Sequence, residues 1–287
     1  METHFQENSE RLIIKGQTLS LISPIVMGIL NLTPDSFADG GKYTTIDLAC
    51  KRVSEMIQDG AAIIDVGGES TRPGSDSVSE EEELKRVVPV VKELIKQFPE
   101  TLFSIDTTKL EIAKSCLKAG AHIINDVSGL QMHPEFVDLC EEYDAGLVIM
   151  HSKGNPKTMQ NAPSYEDVIK EIKTFFFYQL QLTCERLIDK VVLDPGFGFA
   201  KTAEHNLTIS HNLSELIHFG CPILVGASRK SIIGQILGGK PTQNRLIGTI
   251  AFHYDALTKG AKILRVHDVK EAAESISVFN AIQKQSL

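Results

Sequence analysis

Short, uninterrupted apolar runs alternate with longer amphipathic stretches along most of the chain. The runs are IVMGIL (25–30), AAIIDV (61–66), LFSID (102–106), HIIND (122–126), GLVIM (146–150), KVVLD (190–194), PILVG (222–226) and KILRV (262–266). Runs this short and continuous suit strands covered on both faces. Between them, helical patterning falls at 44–59, 79–98, 108–119, 134–143, 165–188, 203–219, 229–238 with 242–259, and 268–283. Eight βα units in one chain predict a closed parallel barrel, a single (β/α)8 TIM barrel. A doubly wound sheet is the second choice. It would gather its polar residues at one switch point, whereas here they recur at the end of nearly every run. No Pro/Gly/Ser-rich linker divides the chain, so residues 1–287 are taken as one domain. Residues 1–11 are expected to form a flexible N-terminal extension.

Composition narrows the partners. The chain has 287 residues and a formal net charge of −8. An acidic chain lacks the basic footprint of a nucleic-acid binder. Small anions stay open, provided that a pocket concentrates positive charge locally. No apolar run is long enough to cross a membrane, and the N-terminus has no apolar signal region. The five cysteines are scattered, without a CxxC pair, and read as reduced thiols of a cytoplasmic protein.

In a barrel of this kind the C-terminal strand ends converge on one face, and the loops there carry the chemistry. The residues at those ends are Asn31, Asp65 through Glu69, Asp106, Asn125 with Asp126, His151, Asp194, Ser228 through Ser231, and Arg265 with His267. Any one of them could be a turn former or an N-cap. Asp106, Asn125 and Asp194 together point to a polar barrel mouth. Two long loops, NLTPDSFADGG (31–41) and GGESTRPGSDSVS (67–79), each carry one large group, Phe37 or Arg72, and read as binding loops. DPGFGFAKT (194–202) lacks the spacing of a nucleotide loop, and its Phe197 and Phe199 suggest an aromatic wall for a planar ligand. GASRKSIIG (226–234) sets cations and hydroxyls at a helix start, where free N–H groups favour an anion; Ser228 could equally be a simple N-cap.

Taken in order, MGILNLTPDSFADGG, AAIIDVGGESTRPGS, SIDTTK, HIINDVSG, VVLDPGFGFAKT, LVGASRKSIIG, NRLIGTIA and RVHDV resemble the dihydropteroate synthase family, over essentially residues 22–283. The resemblance implies a (β/α)8 barrel that joins 6-hydroxymethyl-7,8-dihydropterin diphosphate to 4-aminobenzoate in folate synthesis. It also implies Mg²⁺, a homodimer and membership of a family that sulfonamides target. By position it implies that Asp106, Asn125, Asp194 and Lys230 bind the pterin, with Met150 and Phe199 as its apolar walls. Asn31 would be the Mg²⁺ ligand, and Arg265 and His267 would hold the diphosphate. Phe37, Asp39, Thr71, Arg72 and Pro73 would belong to two loops that close over the second substrate, and Ser231 would meet the benzoate carboxylate. Lys230, Arg265, His267, Asp39 and Arg72 are thereby the candidates for catalysis. Ser152, Lys153 and Ile232 depart from the family pattern and touch only the pocket rim.

No set of residues is placed for a covalent intermediate, which suits an SN1-like path: the electron-rich dihydropterin can carry a cation at its CH₂ as diphosphate leaves. One rival is a pterin-binding methyltransferase acting on methyltetrahydrofolate, which has no use for NLTPDSF, STRPG or SRKS. The other is a non-catalytic pterin-binding barrel, which should have lost Lys230, Arg265 or His267.

Overall fold

The computed structural model describes residues 10–33, 45–69, 78–154, 163–183, 186, 187 and 189–285. Two short strands, β1 (Arg11–Ile14) and β2 (Gln17–Ser20), form an antiparallel hairpin. Eight parallel strands follow: β3 (Ile25–Asn31), β4 (Ala61–Gly67), β5 (Leu102–Asp106), β6 (Ile123–Asp126), β7 (Gly146–Met150), β8 (Val191–Asp194), β9 (Leu224–Val225) and β10 (Ile263–Val266). Their order in the sheet is β8-β7-β6-β5-β4-β3-β10-β9. One parallel bridge, Leu193 to Ile223, joins β8 to the start of β9 and closes the ring. The architecture is the single (β/α)8 TIM barrel that the alternation predicts.

The helices between strands are α1 (Thr45–Gln58), α2 (Glu80–Gln97), α3 (Leu110–Lys118), α4 (Phe136–Glu142), α5 (Val168–Thr183), α6 (Ala203–His211), α7 (Ser231–Ile236), α8 (Leu246–Thr258) and α9 (Val269–Lys284). Most lie within two residues of the predicted spans. The helix predicted over 165–188 is shorter, Val168–Thr183, and that predicted over 242–259 starts its α-helix at Leu246, after a 3₁₀ turn over Thr242–Asn244. The stretch predicted as one helix over 203–219 ends its α-helix at His211 and continues as a 3₁₀ turn, Leu213–Phe219. That predicted over 229–238 shortens to α7. Arg229 takes a left-handed backbone (φ 56°) just before it, so no helix can begin there.

Successive strand residues face opposite sides of the sheet. One set, Met27, Ile63, Leu102, Ile123, Val148, Val192, Leu224 and Ile263, takes one residue from every strand and fills the barrel interior. Their neighbours, among them Val26, Ile64, Phe103, Ile124, Leu147, Leu193, Val225 and Leu264, pack outward against the helices. The hairpin completes the inner set: Leu12, Ile14 and Leu21 are at most 1% exposed and join it. Burial on this scale stabilises by about 1.5–3 kcal/mol per side chain. Ile13 and Lys15 donate backbone hydrogen bonds to the carbonyls of Asp189 and Asp144, which tie the hairpin to the loops below β8 and β7.

The hairpin corrects the expected extension at its end. Of residues 1–11 only 10 and 11 are described, and Arg11 is already paired with Ser20.

Candidate active site

Two residues beyond the inner apolar set, the same period-two alternation brings Asp65 (β4), Ser104 (β5), Asn125 (β6), Met150 (β7, from Val148), Asp194 (β8), Gly226 (after β9) and Arg265 (β10) towards the barrel mouth. Asp106 follows one further step along β5. The contacts span the barrel. Arg265 donates from Nε to Asp65 Oδ2 and from Nη2 to Asp106 Oδ2, both at 2.6 Å. Asn125 Nδ2 donates to the same Asp65 Oδ2 at 2.9 Å. Asp194 Oδ1 accepts the Gly196 N–H at 2.7 Å. Asp106 Oδ1 is buried with no hydrogen-bond partner among the described residues, so it can accept a donor from a ligand.

Burial and charge set the ionisation here. Burial pushes Asp106 up to about 7, against the pull of Arg265. It raises Asp194 as well, opposed first by Lys230. Burial lowers Lys230 to about 8, with Asp194 opposing. Arg265 is raised, because Asp65 and Asp106 together outweigh its burial. Carboxylates and cations therefore hold one another in a dry site, where their fields are strong.

Lys230 Nζ donates to the Phe197 carbonyl at 2.5 Å and lies 4.3 Å from the centre of the Phe199 ring. Lys230 and the half-buried Phe199 thus stand together. Phe197 does not belong to a wall: it is fully buried, edge-on to Phe252 at 5.1 Å, and serves the core. Met150 is 2% exposed and closes β7 beside Asp194, its partner in the β7–β8 register. The 195–200 turn is pinned by Lys201. Its buried Nζ lies 3.0 Å from His151 Nδ1 and donates to the carbonyls of His151 and Phe199 at 3.2 and 3.0 Å.

At the other side of the mouth, Ser228 Oγ accepts the His267 backbone N–H at 3.2 Å and lies 3.0 Å from His267 Nδ1. Either the hydroxyl or the ring nitrogen can donate in that contact, and it holds the imidazole at Nδ1. Ser228 is therefore not the N-cap of α7; Lys230 holds that position without a side-chain cap bond. Arg229 is not a free cation of an anion site, because its Nε donates to Asp268 Oδ2 at 2.8 Å. Ser231 is exposed at the first residue of α7. Asn31 ends β3; its Oδ1 lies 3.8 Å, and the Cβ of Asp106 3.6 Å, from where a Cβ on Gly67 would stand.

Phe37, Asp39, Thr71, Arg72 and Pro73 lie outside the described residues. The residues flanking 70–77 are tied together. Lys109 Nζ donates to Glu69 Oε2 at 2.6 Å, Val78 O at 2.7 Å and Glu83 Oε2 at 2.5 Å.

The family model described as pterin binding enzyme matches residues 27–267. The dihydropteroate synthase of Escherichia coli K12 is 48% identical over 274 residues, covering 94% of this chain and 96% of that protein. The chain belongs to the dihydropteroate synthase family. A Yersinia pestis dihydropteroate synthase in a sulfonamide drug complex superposes with a TM-score of 0.88 at 45% identity, covering 96% of this chain and 99% of the other. The Xanthomonas albilineans dihydropteroate synthase in complex with 7,8-dihydropteroate does so with a TM-score of 0.84 at 37% identity, covering 95% and 98%. As a member of that family the chain is an enzyme of folate synthesis that transfers an alkyl group. The rival readings as a methyltransferase or a non-catalytic barrel fall away.

Within this family frame, Asp106, Asn125, Asp194, Lys230 and Arg265 converge at one mouth, as expected from their strand ends. Asp65 is the residue to which the sequence reading gave no role, although it sits at the centre of the hydrogen-bonded cluster. Its signal was available: Asp65 lies two positions after Ile63, on the inward face of the run. Ser228 as the partner of His267, and Lys201, were likewise assigned no role. Neither contact is visible without the turns that create it.

Proposed function

We propose that the barrel mouth binds the pterin diphosphate through Asp106, Asn125, Asp194 and Lys230, and that diphosphate leaves before 4-aminobenzoate attacks. The supporting observation is the pairing of buried acceptors, Asp106 and Asp194, with a fixed amide and a buried amine in one cluster. A pterin presents adjacent N–H donors on its aminopyrimidinone edge, which a carboxylate accepts well. Asn125 can donate and accept, and Lys230 can reach the carbonyl and a ring nitrogen. Met150 and Phe199 flank the ring.

The bond broken joins the pterin CH₂ to the diphosphate oxygen; the bond formed joins that carbon to the aminobenzoate nitrogen, which then sheds one proton. Asp106 and Asp194 place negative charge beneath a ring that becomes cationic. Arg265 and His267 meet the charge that develops on diphosphate. Aminobenzoate is unprotonated at neutral pH and needs positioning rather than a strong base. Ser231 is suited to its carboxylate, and Phe37, Asp39, Thr71, Arg72 and Pro73 would enclose it.

Among the described residues no group of three or more His, Cys, Asp or Glu could hold a metal. A single amide oxygen at Asn31, near Asp106, fits a Mg²⁺ that takes its remaining oxygens from diphosphate and water. When bound there, the ion supplies positive charge to the leaving group. A homodimer would use the exposed Ile236, Ile247, Val278 and Ile282 on α7–α9. The four described cysteines are free thiols, in keeping with work in the cytoplasm.

The direct test withholds each substrate in turn from the purified protein. Stoichiometric diphosphate and 7,8-dihydropteroate are expected when both are present. Dihydropteroate formation that survives Asp106→Asn and Asp194→Asn together at the wild-type rate would remove the site assignment.

A further inference from the structure

Asp65 is 0% exposed, in mid-barrel, one turn of the pleat above a ring of aliphatic side chains. A carboxylate in such a place costs stability unless it is paired, and a well-packed apolar residue would serve the core as well or better. Its Oδ1 is buried without a hydrogen-bond partner among the described residues, a cost that an apolar residue would not carry. All of its described bonding goes through Oδ2, and both partners belong to the mouth: Arg265 Nε at 2.6 Å and Asn125 Nδ2 at 2.9 Å.

We infer that Asp65 is a positioning residue, which uses one oxygen to fix both the Asn125 amide and the Arg265 guanidinium in the orientations that the pterin diphosphate meets. This rests on the reading of the mouth as the pterin site. An Asn amide is nearly symmetric in shape and can present either end to a ligand. A carboxylate only accepts, so Asp65 selects the nitrogen end of Asn125 and turns the remaining amide acceptor away from itself. A guanidinium is a planar fork, and holding it at Nε and Nη2 by two carboxylates on neighbouring strands fixes its plane; Nη1 is in neither contact. Asp65 thereby joins the groups assigned to the ring and those assigned to the diphosphate.

The test is Asp65→Asn, nearly the same in shape, which ends the selection because an amide can accept or donate. Calorimetry with 6-hydroxymethylpterin is run on the wild type, Asp65→Asn, Asn125→Ala and the double variant. Asp65→Asn is expected to weaken pterin binding by about ten-fold or more, and to add less than about two-fold in the Asn125→Ala background, the behaviour of groups acting as one unit. The KM for pterin diphosphate should rise while that for 4-aminobenzoate holds. Full additivity of the two substitutions, or an unchanged pterin affinity in Asp65→Asn, overturns the proposal and leaves the site reading intact. An Asn125→Ala protein with wild-type pterin affinity overturns the site reading and the proposal with it. A second readout needs no variant. In the wild-type protein the Arg265 Nε–H and Asn125 Nδ2–H protons should exchange slowly with solvent by NMR, and fast exchange of both overturns the proposal.

Discussion

Replacing Asp194 by Asn keeps the side chain's shape and removes its charge. Asp194 is 5% exposed, and its Oδ1 already accepts from Gly196. Its Oδ2 lies 3.7 Å from where a Cβ on Gly226 would stand, on the side of the unfilled glycine position. An amide nitrogen at Oδ2 would set a donor against the donors of the pterin edge. The loss of a charge-assisted hydrogen bond amounts to about 1.5–3 kcal/mol, or about 10- to 150-fold in affinity. The diphosphate-free 6-hydroxymethylpterin is the proper ligand, because it keeps Arg265 and His267 out of the measurement. Titration calorimetry near pH 8 should show that weakening. The buried amines of Lys230 and Lys201 both draw on Asp194, so a thermal melt run in parallel separates loss of fold from loss of ligand. A folded Asp194→Asn protein that binds the pterin within about two-fold of the wild type would refute the reasoning, since even a weak charged hydrogen bond exceeds that.

Three other outcomes follow from the same geometry. Gly226→Ala adds a Cβ 3.7 Å from Asp194 Oδ2 and 3.8 Å from Arg265 Cβ; the contacts are ordinary, so the melting temperature should hold, while the KM for pterin diphosphate rises about ten-fold or more as the slot narrows. Lys109→Met leaves Glu83, 1% exposed, without its cation, and should cost about 3 kcal/mol in denaturant unfolding, with Glu83→Gln in the same chain restoring part of it. Asp106, pushed up to about 7 by burial, is the acceptor only when ionised. Pterin affinity should therefore fall as pH drops from 8 to 6, and the fall should be absent in Asp106→Asn.

The fold was legible because continuous apolar runs and amphipathic stretches alternate without a break from residue 25 onward. Among the strands, two departures have local causes. The hairpin turns on Lys15 and Gly16, with φ of 49° and 71°, and a Lys in the left-handed region gives no warning in sequence. β9 is only Leu224–Val225, so its run promised more strand than forms. In the site, strand-end residues such as Asp106, Asn125 and Asp194 follow from alternation alone. The partners of Arg229 and Ser228 do not. Arg229 was counted as a cation for anions, but a left-handed turn swings it onto Asp268. Ser228 was weighed as a cap, but it is spent on His267. Phe197 and Phe199 sit two apart in one motif, yet the turn sends one into the core and the other to Lys230.

In the proposed reaction the mouth alone binds the pterin diphosphate and breaks its C–O bond before the amine arrives. The most direct measurement incubates the enzyme, Mg²⁺ and pterin diphosphate labelled at the bridging oxygen, with 4-aminobenzoate left out. Slow diphosphate release above the uncatalysed rate is expected, with water taking the carbon, together with scrambling of the bridging label as the held cation recaptures diphosphate. If neither release nor scrambling occurs until 4-aminobenzoate is added, bond breaking needs the amine, and the ionising mouth is contradicted.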